Sequence, residues 1–364
     1  MSSVPAGMRF NSSPTVVKAR CLCGLLCAAG LLFGSGCRQT GVASPHLSAC
    51  LSDSPQSIAA YLDDEPAIRS VQVWHSEEGQ GLVVRTDHYV LYTTLLEPLM
   101  LRQIPAFLEA ACSACQSQLP QPLSISRPME VYLFSSRSQW EQFTHRFAGS
   151  DAAIYLRIQR GAYTLRGVIA AYNIGRKQTF SVLGHEVWHQ FNQQTFAYRL
   201  PSWLDEGIAA LFETCRYTQG RFVFEPQYNL MRLGALKETV QRSSLISLPS
   251  LIILNPGQVL DSSNDAVAAF YAQNYALVRF LREYNYGIYL RRYHALLFGA
   301  VDGTWPLPPE AAALAADRLR PLTVGWNMQV SPALFNFYIG DVSTLDADYK
   351  DFCRKIVYAV RLKD

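Results

Sequence analysis

The order of patterns along the chain predicts an α+β fold. Alternating apolar and polar residues dominate up to about residue 174, and helical spacings dominate beyond it. Strands first and helices later is the order expected of α+β rather than of a repeated βαβ sheet. Bulk supports a globular body. The chain has 364 residues, 49% of them hydrophobic and 17% charged, enough for one large domain or two modest ones.

The first 37 residues read as an export signal. Arg9, Lys18 and Arg20 form a basic flank without an acid, Cys21 to Phe33 is a short apolar run, and Gly34-Ser35-Gly36-Cys37 supplies small residues at a cleavage point. Cys37 stands where the resemblance to bacterial lipoproteins would place an acylated cysteine. A lipid anchor at Cys37 in the cell envelope is therefore expected, with secretion or a periplasmic location as the alternative. No other contact with a membrane is expected, because no later apolar run reaches about 18 residues. Residues 38–66, polar and rich in Ser and Pro, are expected to be a linker.

Elements follow in order. Ser70–Ser76 and Leu82–Thr93 read as a hairpin around Gly79 and Gly81. Residues 95–119 form a helical stretch with Pro105 near its start, followed by a strand over Pro128–Phe134 and a short helix over Ser138–Phe147. Ile154–Ile158 and Gly167–Ile174 read as two more strands. Helices are predicted over Thr179–Gln193, Pro201–Phe212, Asn229–Arg242 and Ala266–Glu283; Ser202 and Asp205 read as the capping box of the second. Residues 287–364 carry further helical patterns broken by prolines. The expected organisation is a signal at 1–37, a linker at 38–66, a catalytic domain at 67–285 and a helical C-terminal extension at 286–364.

Charge and cysteines narrow the function. Outside residues 1–37 the chain has 29 basic and 29 acidic residues, so it lacks the clustered positive excess that phosphate-backbone binding needs. No nucleic-acid partner is expected, and there is neither a P-loop nor a dinucleotide fingerprint. Cys112 and Cys115 have no second CxxC pair to complete a zinc ribbon, so they read as packing residues.

The informative segment is His185-Glu186-Val187-Trp188-His189. Residues four apart on a helix lie about 40° apart around its axis, so both imidazoles can reach one metal ion. Glu186 is then placed to take a proton from a water beside that ion. A catalytic zinc needs a third ligand. Glu206, 17 residues after His189 in Trp203-Leu204-Asp205-Glu206-Gly207, can supply it from a second helix.

This pairing resembles the gluzincin metallopeptidases, the clan that contains thermolysin, and is closest to its peptidase-MA-like envelope group. The likeness rests on His185–Gln190, on Pro201-Ser202-Trp203-Leu204-Asp205-Glu206-Gly207-Ile208-Ala209, and on Tyr271-Ala272-Gln273-Asn274-Tyr275-Ala276-Leu277-Val278-Arg279-Phe280-Leu281. It covers about 85–285.

The resemblance implies a sheet packed on the HExxH helix, Zn2+ on His185, His189 and Glu206, and Glu186 as general base. It places Tyr271 as a donor to the oxyanion; a core aromatic is the alternative for that residue. It also implies that Gly167–Ile174 is an edge strand that pairs with an extended substrate. Glu213 is expected on the solvated surface, with orientation of a histidine as its alternative. The function implied is hydrolysis of a peptide or protein by a zinc peptidase. The alternatives are an inactive envelope binding protein and a zinc hydrolase with another substrate.

Overall fold

The computed structural model describes residues 54–158, 161–260, 263–318 and 322–359. The signal, Cys37 and most of the expected linker lie outside them. The fold is α+β. Six strands form one mixed sheet: β1 (Ser70–Ser76), β2 (Gly79–Arg85), β3 (Tyr89–Thr93), β4 (Met129–Phe134), β5 (Ala162–Leu165) and β6 (Val168–Tyr172), in the order β1-β2-β3-β4-β6-β5. The predicted strand Leu82–Thr93 is two strands, parted at Thr86–His88.

Two joins are parallel, β3 to β4 and β4 to β6. The connections between them contain helix α1 (Ile104–Gln116) and helix α2 (Arg137–Ala148), so the sheet holds crossovers that the strands-then-helices order did not suggest. Pro105 sits in the first turn of α1, where its missing N–H costs nothing. Ser136 and Gln139 cap α2 reciprocally.

Strand alternation gives the sheet two apolar faces. Leu82, Leu91, Val131, Leu133 and Ile169 point into the main core. Phe134, Ala170 and Tyr172 point the other way, under Trp140 and Phe143 of α2.

The segment Ile154–Ile158 is not a strand. A short helix, Ala152–Tyr155, runs there, and Tyr155 and Ile158 bury their side chains in the second core. The edge beside the functional helix is therefore β5, while Val168–Tyr172, expected at the edge, is interior.

Helix α3 (Arg176–Thr195) carries the HExxH segment and is buried on nearly every side from Thr179 to Asn192. Helix α4 (Ser202–Ala209) packs against it, and helices α5 (Leu230–Gln241) and α6 (Asn264–Glu283) pack on each other, α6 also covering α4. Two glycines permit close approaches here. A Cβ at Gly184 would lie 2.2 Å from the carbonyl oxygen of Phe212, and one at Gly207 would lie 2.5 Å from that of Asn274.

Both ends of the described chain join this body. The helix Pro55–Leu62 buries Ile58 and Leu62 in the main core, so residues 55–62 of the expected linker are folded. In the C-terminal part, Trp203 Nε1 donates to Ser331 Oγ at 2.9 Å and Tyr349 donates to the carbonyl of Gln273 at 2.8 Å. Described residues from Tyr293 to Ile356, Trp305, Phe335 and Phe352 among them, share the main core rather than extending from it. No helix among the described residues is long and apolar enough to cross a membrane.

Candidate metal centre

His185, His189 and Glu206 each offer a donor atom, and these atoms all lie within 4.8 Å of one another. This buried group can hold a metal ion. Helical spacing puts the two imidazoles on one face of α3, and α4 presents Glu206 against them. Glu206 Oε2 is 3.3 Å from His185 Nε2 and 3.8 Å from His189 Nε2. None of these three atoms has a hydrogen bond among the described residues, although each is buried. Buried polar atoms are normally satisfied, so the convergence of three orphans fits a ligand that bonds all of them. Two nitrogens and a carboxylate oxygen are a donor set that suits zinc.

Each of the other ring nitrogens faces a carboxylate. His185 Nδ1 lies 2.9 Å from Glu213 Oε1. Glu213 is buried, against the expectation of a solvated surface, and orients a histidine as its alternative proposed. Arg232 donates to both of its oxygens at 2.5 and 2.8 Å, and Asn229 Nδ2 donates at 2.8 Å. Burial pushes the Glu213 carboxyl up, but Arg232 and His185 outweigh it and hold it down at about 2.

On the other histidine, Nδ1 lies 3.1 Å from Asp205 Oδ1. The same oxygen accepts from Trp188 Nε1 at 2.9 Å and Asn192 Nδ2 at 2.7 Å. Asp205 is therefore not a helix cap. Pro201 occupies the N-cap position, and Ser202 turns its hydroxyl to Asn255 instead. Burial lowers the pKa of His189, but Asp205 and Glu206 outweigh it and raise it to about 10 without an ion.

Glu186 is fully buried. Thr164, from the edge strand β5, donates to its Oε2 at 2.7 Å, while Oε1 has no hydrogen bond among the described residues. Burial raises the Glu186 pKa, partly countered by His189 and His185.

Tyr271 of α6 is 2% exposed, and its ring centre lies 6.5 Å from that of His185. The Arg232 guanidinium lies over the same ring, 5.0 Å from its centre. It is both a core aromatic and a neighbour of the centre. Tyr275 packs, donating to the carbonyl of Pro226.

Thr164, Asp205, Asn229 and Arg232 were not singled out from sequence as parts of this site. Only Asp205 carried a signal, its place beside Glu206. Cys112 and Cys115 lie buried in the main core, as expected of packing residues.

A small cavity of about 90 Å³ opens on the centre, bordered by Thr164, His189, Asn192, Glu206 and Arg318. Such a site can bind a cation, present a proton acceptor next to it and admit a group of a few atoms. No family model, no curated protein and no solved structure matches this chain.

Proposed function

We propose that the protein is a zinc-dependent peptidase of gluzincin type, exported and anchored to the cell envelope through Cys37. The observation that carries the enzymatic reading is the pairing of three converging donors with the half-satisfied carboxyl of Glu186. Residues 1–37 support the location by pattern alone.

Zinc on His185, His189 and Glu206 would polarise the scissile carbonyl and acidify a water. The chain's own groups do the rest. Thr164 holds Oε2 of Glu186, which leaves Oε1 to take the proton from that water. The same carboxyl then passes the proton to the departing amine. Glu213 and Asp205 fix the two imidazoles with Nε2 forward. The Tyr271 phenol, beside His185, donates to the developing oxyanion.

The test is Glu186→Gln, assayed on a peptide mixture with zinc content measured in parallel. Zinc is expected to stay while hydrolysis falls about 10²- to 10⁴-fold. Full hydrolysis by that variant would remove the mechanism.

A further inference from the structure

A second and larger cavity, of about 530 Å³, lies on the other side of the His185 support. That volume is within the range of ligand pockets, roughly 300–1,000 Å³. Its walls come from the first two turns of α3, from the start of α5, and from a two-stranded hairpin, Cys215–Thr218 and Arg221–Phe224. Ile174, Phe180, Val182 and Phe222 make the interior apolar.

The mouth is apolar as well. Tyr217, Tyr228, Leu230 and Met231 line it and remain 48%, 41%, 50% and 41% exposed. A contiguous exposed patch of this kind marks a binding surface more often than isolated apolar residues do.

Charge selects the occupant further. Arg176 and Lys177, both exposed, stand at the rim. Among the described residues the one acid in the lining is Glu213, whose carboxylate is already shared by Arg232, Asn229 and His185. The cavity therefore presents an apolar interior and two rim cations, with no acid left to answer them. Glu213, in this lining, is also the carboxylate that lies against His185 Nδ1.

We propose that this cavity selects the substrate: it seats a large apolar side chain of an extended peptide whose neighbouring residue is acidic and meets Arg176 and Lys177. The inference rests on the peptidase reading and deepens it.

The experiment uses the zinc-loaded Glu186→Gln chain and fluorescent hexapeptides with Phe-Glu, Ala-Glu or Phe-Lys at the centre, with binding read by anisotropy. Phe-Glu is expected to bind about tenfold or more tighter than Ala-Glu. It is expected to bind a few-fold tighter than Phe-Lys at low salt, a gap that closes at about 1 M salt. Leu230→Glu should erase the first preference, and Arg176→Glu with Lys177→Glu should reverse the second.

Equal binding of all three peptides would overturn the inference. So would dodecanoate binding in the cavity while none of the peptides does. The two readings fail separately. Hydrolysis of all three peptides by the wild-type chain at equal kcat/KM would sink the cavity and leave the peptidase. Selective binding of Phe-Glu without hydrolysis by the wild-type chain would do the reverse.

Discussion

His185 and His189 lie one turn apart on the same helix, yet the carboxylates behind them are tied into the fold differently. Glu213 sits beneath His185 with an arginine and an asparagine bonded to it, both supplied by the start of α5. Asp205 sits beside His189 on the ligand helix itself; its donors Trp188 and Asn192 come from the same turns of α3 as the histidine, and the charge of Arg318 also acts on it. The first support is a buried ion pair assembled from distant segments. The second is built mainly of local hydrogen bonds at the edge of the small cavity, within reach of the Arg318 charge. A buried ion pair is costly to break on one side only, whereas a hydrogen-bonded web loses about one bond at a time. The two arms should therefore fail to different degrees.

The largest effect is expected from Glu213→Ala. It leaves the Arg232 guanidinium, 4% exposed, without its carboxylate, and should cost about 3–5 kcal/mol in urea unfolding. Zinc affinity should drop about 10- to 100-fold in the same variant. A loss below 1 kcal/mol would mean that the Glu213–Arg232 pair is not the deeper support.

Gly184→Ala acts on the same arm from the opposite side. Its methyl group would press on the Phe212 carbonyl and push away the turn that carries Glu213. About 1–3 kcal/mol of destabilisation is expected, together with weaker zinc binding, both measurable by calorimetry.

Asp205→Asn tests the other arm. It keeps the shape and removes the charge, so about 1 kcal/mol of stability and about tenfold of zinc affinity should be lost. An effect as large as that of Glu213→Ala would erase the distinction between the arms.

The smallest change touches neither arm. Thr164→Val removes the bond to Glu186 Oε2, so zinc affinity should hold while kcat falls by a few-fold, about the worth of one hydrogen bond. Weakened zinc binding in that variant would show that the base and the ligands are not independent.

Local rules made part of this legible. The metal triad could be read because two of its ligands share one helix, where a four-residue spacing dictates proximity, and the third lies on the next amphipathic helix. Most elements were readable for the same reason, since their apolar periods match their burial. What could not be read depends on tertiary packing. Glu213 looked like a surface residue because its partner Arg232 is 19 residues away. Asp205 looked like a cap because Ser202 three residues earlier satisfies the local pattern, yet Asn255 takes that serine. Ile154–Ile158 looked like a strand because a short helix feeding a second core shows the same apolar positions. The edge of the sheet was then misplaced by one strand, which hid Thr164, the residue that holds the base.

The central claim is that His185, His189 and Glu206 form one metal centre. The most direct measurement is the zinc content of the chain from residue 38 onward, purified without added metal and then titrated with zinc. One zinc per chain is predicted, lost in His185→Ala and retained in Glu186→Gln. A chain that carries no zinc and takes up none on titration would contradict the account.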